Sequence, residues 1–398
     1  MLYEINQDAL AYEMEHLGVY PPSVAIMLNK GKIVPLKVLQ VRTPAANIIK
    51  QEMLAVGGEC ATPGTTIACS VPFVDILLLG TRKHYNLLLK KLKQMPYFGI
   101  PKIVPELECY LQPVPKSTLL VDGRRLTYEQ MAVMGIINVT PDSFFAGSRR
   151  PGLDAALQQA ETMLADGAAI LDIGGESTRP GSDPVGQEEE MRRVLPVVEA
   201  IKKRFPASMI SVDTYRAAVA EAAMQCGGDI INDVTAMTGD AAMLGTVLKT
   251  KAPIVLMHMR GKPKDMQQQC EYTNVVQEVT SYLLAQAQLL RAEGVAPEKI
   301  ILDPGIGFAK KTEQNLRLMQ NLNALTANEY PVLMAASRKT TIGQVLSAGQ
   351  QPLPPEERLE GTLAVTAAAL YAGAAMVRVH DVKENLRLIR MLEAIRNV

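Results

Sequence analysis

The sequence predicts an α/β protein: a (β/α)8 TIM barrel over residues 121–398, preceded by a small α/β domain over residues 1–120. Eight short apolar runs recur, each followed by a longer amphipathic stretch. Runs this apolar belong to strands buried on both faces, as parallel strands are. Polar residues also gather at the C-terminal end of almost every run: Asn138, Asp172, Asp213, Asn232, Asp233, His258, Asp303, Ser337, Arg378 and His380. A doubly wound open sheet shares the local grammar but concentrates its site at one crevice. A barrel draws on strands all the way round its mouth.

The runs are AVMGIINV at 132–139, AAILDI at 168–173, MISVD at 209–213, DIIND at 229–233, PIVLMH at 253–258, KIILD at 299–303, PVLMAAS at 331–337 and AAMVRV at 374–379. Helices are expected at 152–166, 187–204, 215–226, 240–249, 270–292, 313–326, 356–371 and 382–395. The triple Glu188–Glu190 opens the second of these, where acids favour a helix N-terminus. In the front domain, IIKQEMLAVGGECAT reads as a helix stopped at Gly57–Gly58. VDILLLG reads as a strand, and residues 82–95 as a basic amphipathic helix with Leu87, Leu88, Leu89 and Leu92 on its apolar stripe. Its lysines solvate an outer face, or the helix meets a membrane or an acidic partner. Residues 101–119 carry four prolines and read as the connector.

Composition narrows the function. Apolar residues make up 48% of the 398, ample for a large core, and 41 basic residues balance 41 acidic ones. Nothing suggests a nucleic-acid coat. The first sixteen residues carry no basic cluster, so no signal peptide is expected, and no run suits a membrane span. Five cysteines at irregular spacing, with no CxxC, argue for a reducing, cytoplasmic setting. With four histidines and no HExxH, a zinc site is not expected. Magnesium carried largely by a substrate's phosphates needs only one or two protein oxygens. Neither a P-loop nor GxGxxG is present.

The strand-end acids Asp213, Asp233 and Asp303, with Asn232, suit a flat heterocycle with alternating donor and acceptor edges. Each acid alone also fits a helix cap. Cations lie at the other side of the mouth. SRKT at 337–340 follows the seventh strand and VRVHD at 377–381 ends the eighth, where barrels often bind phosphate. Arg378 and His380 alternate with Val377 and Val379, so they face the same way. Asn138 lies on the neighbouring first strand and suits the same anion or a metal, and Lys339 reaches inward. The alternative is that Arg338 and Arg378 make structural ion pairs. TPDSFFAGSRRPG and GGESTRPGSDPVGQEEE are long rim loops suited to closing over substrate.

MGIINVTPDSF at 134–144 and DIGGESTRPGSDPVGQEEE at 172–190 resemble the two loops of dihydropteroate synthases. SVDTYR, IINDV, VLMHMRG, DPGIGFAK, SRKTTIG and RVHDV continue the resemblance in order. It implies condensation of 6-hydroxymethyl-7,8-dihydropterin pyrophosphate with 4-aminobenzoate, a TIM barrel, commonly a homodimer, and assistance by Mg2+. It assigns Asp213, Asn232, Asp303 and Lys339 to the pterin, with Met257 on its ring. Asn138, Arg378 and His380 fall at the pyrophosphate and magnesium end, and Thr178, Arg179, Pro180, Phe308, Ser337 and Lys339 at the 4-aminobenzoate site. Phe145 and Ala146 stand where the family usually has Ser and Asp, so either another acid, Asp142 or Glu176, substitutes, or the rate falls. Rival readings are a methyltetrahydrofolate-binding methyltransferase domain and a pterin-binding barrel without turnover.

Overall fold

The computed structural model describes residues 2–3, 5–139, 149–176, 185–261 and 266–397. They form two compact units, Met1–Val114 and Pro115–Val398.

The small unit has a three-stranded antiparallel sheet of β1 (Ile33–Arg42), β2 (Glu59–Ala61) and β3 (Phe73–Thr81), in the order β1-β3-β2. Its helices are α1 (Leu10–His16), α2 (Pro21–Gly31), α3 (Thr43–Ala55), α4 (Arg82–Leu92) and α5 (Ile100–Leu111). Ile49 and Met53 of α3, Ile76 and Leu78 of β3, and Tyr85, Leu88, Leu89 and Leu92 of α4 make one core. Leu87 is only partly buried, so the stripe on α4 is narrower than the leucine run suggests. Of its lysines, Lys91 pairs with Glu52 and Lys93, just past the helix, with Glu108. The expected connector at 101–119 is largely helix α5. Pro101 falls in the first turn, whose N–H groups are unpaired in any helix, and interior Pro105 removes one further bond. Burial of Ile100, Leu107 and Leu111 offsets that loss.

The second unit begins with a hairpin of β4 (Ser117–Leu119) and β5 (Arg125–Thr127), so the boundary lies six residues before the expected one. Eight parallel strands follow: β6 (Ala132–Asn138), β7 (Ile170–Gly174), β8 (Met209–Asp213), β9 (Ile230–Asp233), β10 (Ile254–Met257), β11 (Ile300–Asp303), β12 (Leu333–Met334) and β13 (Met376–Val379). Sequential strands from β6 to β11 are neighbours, β13 pairs with β6, and a parallel bridge from Leu302 to Val332 brings the two ends of the sheet together. The barrel is the predicted one.

Its helices are α6 (Arg149–Ala165), α7 (Gln187–Arg204), α8 (Ala217–Gln225), α9 (Met243–Thr250), α10 (Val275–Ala292), α11 (Thr312–Gln320), α12 (Asn323–Thr326), α13 (Thr340–Leu346), α14 (Leu359–Tyr371) and α15 (Val382–Arg396). The helix expected at 313–326 is divided at Asn321. There both the backbone N–H (3.0 Å) and the side-chain amide (2.8 Å) of Asn321 donate to the Arg317 carbonyl, closing the last turn of α11. Short α13 was not anticipated.

Alternation along the strands decides what faces the barrel axis. Met134, Ile170, Ile230, Val255, Ile301, Leu333 and Met376 pack together inside, joined by Leu120 from the hairpin. Their neighbours Val133, Leu171, Ile231, Leu256, Leu302 and Val377 pack outward against the helices. Two residues beyond the inner layer, the same inward direction is held by Asp172, Asn232, Met257, Asp303 and Arg378. An apolar floor is thus followed by a polar layer at the C-terminal mouth.

Candidate active site

Arg378 joins the acids of this polar layer. Its Nε donates to Asp172 Oδ2 (2.6 Å) and its Nη2 to Asp213 Oδ2 (2.9 Å). Asn232 Nδ2 also reaches Asp172, at 3.3 Å and 3.2 Å from its two oxygens. Burial pushes the Asp213 carboxyl up to about 7; Arg378 opposes this and Asp172 adds to it. Asp303 is likewise raised by burial, against the pull of Lys339, and accepts from Gly305 N (2.7 Å).

Lys339 stands at the start of α13, after β12. Its Nζ donates to the Ile306 carbonyl and lies 4.4 Å from the Phe308 ring centroid. Burial lowers this ammonium to about 8, with Asp303 holding it up. Met257 and Phe308 belong to one apolar cluster with Val234 and Met266, a wall suited to a planar ring. At the end of β13, Ser337 Oγ accepts from His380 N (3.2 Å) and lies 3.0 Å from His380 Nδ1. This contact fixes the position of the imidazole at the mouth.

The structure therefore brings Asp213, Asn232, Met257, Asp303, Phe308, Ser337, Lys339, Arg378 and His380 to one end of the barrel, and Asn138 ends β6 there, half-buried. Thr178, Arg179 and Pro180 lie outside the described residues, as do Asp142, Phe145 and Ala146.

Several expectations are corrected. Asp233 does not grip a ligand: on β9 it points opposite to Asn232, and accepts from Thr235 N (2.8 Å), Thr235 Oγ1 (2.7 Å) and Met237 N (2.6 Å). It shapes the following loop. His258 is turned from the mouth to Lys310, whose Nζ lies 3.0 Å from its Nδ1; burial and Lys310 push that imidazole down to about 2. Arg338 makes a structural pair with Asp381 (2.9 Å from Nε), as the ion-pair alternative had it. Arg378 also pairs with acids, but inside the mouth. Glu176 is engaged by Arg216, which also holds buried Glu190, so it is not a spare acid for the rim.

Asp172 is a strand-end polar residue to which the sequence alone attaches no role. The signal was available: it stands two residues after Ile170, so it faces the axis. Lys310 was missed altogether. It is buried, and donates to the carbonyls of Gly305 (2.9 Å), Phe308 (2.9 Å) and His258 (3.2 Å). It fastens the loop that carries Phe308.

Residues 134–380 match the family model described as pterin binding enzyme. A dihydropteroate synthase of Bacillus subtilis is 45% identical over 269 residues, covering 68% of this chain and 90% of that protein. The chain belongs to the dihydropteroate synthase family. A Synechocystis member is 43% identical over 283 residues, covering 71% of this chain and 95% of its own length. A probable bifunctional folylpolyglutamate synthase/dihydropteroate synthase of Halobacterium salinarum is 38% identical over 385 residues. That match takes in 96% of this chain, so it extends through the small unit, and 45% of the Halobacterium protein. Among solved structures, Xanthomonas albilineans dihydropteroate synthase with 4-aminobenzoic acid superposes with a TM-score of 0.66 at 38% identity, covering 72% of this chain and 100% of that one. The Burkholderia cenocepacia enzyme complexed with 7,8-dihydropteroate gives 0.63 at 38% identity, over 72% and 98%.

Proposed function

We propose that the barrel condenses 6-hydroxymethyl-7,8-dihydropterin pyrophosphate with 4-aminobenzoate to give 7,8-dihydropteroate and pyrophosphate. The observation that carries this reading is the convergence of Asp213, Asn232 and Asp303 with Lys339, Arg378 and His380 at one mouth, acids for a heterocycle beside cations for an anion. Family membership supports it.

The pterin ring lies against Met257, its amide and guanidine-like edges paired with Asp213, Asn232 and Asp303. Two carboxylates near the ring stabilise positive charge as the C–O bond to pyrophosphate weakens. The His380 imidazole and the Arg378 guanidinium offset the charge gathering on the leaving group. Lys339 and Phe308 bound the side from which the arylamine enters. Its nitrogen forms the new C–N bond, loses a proton, and pyrophosphate departs. No covalent enzyme intermediate is required.

Mg2+ is part of this proposal. Among the described residues there is no group of three or more acidic, His or Cys side chains able to hold a metal alone. Asn138, an oxygen donor on the strand beside Arg378, fits an ion carried mainly by diphosphate oxygens. When bound, the ion would neutralise diphosphate charge. Among the described residues no helix is long and apolar enough to cross a membrane. The five free cysteines support a cytoplasmic setting, and family resemblance supports a homodimer.

Incubating the chain with Mg2+, 4-aminobenzoate and the pterin pyrophosphate should yield dihydropteroate and pyrophosphate in equal amounts. No product above the buffer control would reject the proposal.

A further inference from the structure

We infer that Asp172 is a positioning residue of this reaction: its carboxylate holds the Arg378 guanidinium and the Asn232 amide in the orientation in which both meet the substrate. The inference rests on the proposed function and adds a residue to it.

Asp172 is fully buried and faces the barrel axis from β7. One oxygen takes the short bond from Arg378 Nε (2.6 Å), and both lie within reach of Asn232 Nδ2. The two partners come from β13 and β9, on either side of β7 in the ring. A single carboxylate thus sets the rotation of two side chains from separate strands. Binding Nε fixes the plane of the guanidinium, and that plane aims Nη2 at Asp213 (2.9 Å). Drawing Nδ2 inward leaves the Asn232 Oδ1 directed the other way, to accept from a ring N–H. Asp172 also lies close enough to Asp213 to disfavour its ionisation.

Asp172→Asn tests this, with wild type assayed in parallel. The expected result is a fall of about 10–100-fold in kcat/KM for the pterin pyrophosphate, the usual scale for an outer supporting residue, with KM for 4-aminobenzoate unchanged. The acid limb of the pH profile should move to lower pH, because one negative charge beside Asp213 is gone. In an Arg378→Gln background, Asp172→Asn should cost much less than it does alone. If the Asn variant does not fold, Asp172→Ser, which is smaller and leaves room for water, takes its place in the same measurements. Wild-type turnover with an unchanged acid limb and additive losses would overturn the inference. A wild type without turnover would instead remove the reading on which it rests.

Discussion

Lys339 Nζ lies 4.4 Å from the centre of the Phe308 ring while donating to the carbonyl of Ile306. Both partners sit on the loop that follows β11, whose last residue is Asp303. One cation therefore braces this loop while Asp303 holds up its charge. Lys339→Ala should lower kcat/KM by roughly 100-fold or more, the scale seen when a charge-stabilising donor is removed. The lysine heads a short helix rather than filling the core, so the melting temperature should change little. Catalysis equal to wild type would take Lys339 out of the site.

The pH dependence follows from two shifted groups. Asp213 rises to about 7 and must be ionised to accept from the pterin. Activity should fall as pH drops below that value and the carboxyl gains a proton. Lys339 is lowered to about 8 and must keep its proton. Activity should fall again as pH rises past it. A bell in kcat/KM with limbs near 7 and 8 is expected. A flat profile between pH of about 6 and 9 would contradict both assignments.

Gly305 has φ +68°, and a Cβ there would lie 1.9 Å from the His258 carbonyl oxygen. No flexible side-chain end can yield at that point, since the obstacle is backbone. Gly305→Ala should cost on the order of 2–4 kcal/mol in urea unfolding, combining positive-φ strain with a steric shift. A cost under about 0.5 kcal/mol, the range of neutral surface changes, would show that the loop relaxes freely.

Arg216 holds Glu190, 1% exposed, together with Glu176. Arg216→Met strands a buried carboxylate, an expected loss of about 3–5 kcal/mol. Adding Glu190→Leu should return part of it. If the double variant is weaker than Arg216→Met by the full cost of the second change, the pair is not coupled.

Chelation by excess EDTA should suppress product formation, and added Mg2+ should restore it. Asn138→Ala should raise the Mg2+ concentration needed for half-maximal rate severalfold. Full activity under chelation would exclude the ion from the reaction.

The eight strand–helix units could be read because their signals are local. Apolar runs, glycine stops and acidic helix starts depend on neighbours a few residues away. The same alternation turns Arg378 inward from β13, where it meets Asp172 and Asp213. It equally separates Asn232 from Asp233, neighbours on β9 that must face opposite ways. Helix α5 escaped because four prolines outweighed an apolar spacing that Ile100, Leu107 and Leu111 bury. Short α13 offers only seven residues, too few for a periodic signal.

By itself, the sequence determined the class of fold, the order of its elements and the direction in which each strand presents its polar tip. Tertiary structure alone decided that Arg378 meets Asp172 across 206 residues of chain, that His258 turns to Lys310, and that Glu176 is taken by Arg216. The physical reason is one of range. Side-chain direction along a strand follows from backbone pleating, whereas which charges neutralise one another depends on ring closure, which brings β13 beside β6 and sets distant carboxylates in the same water-poor layer.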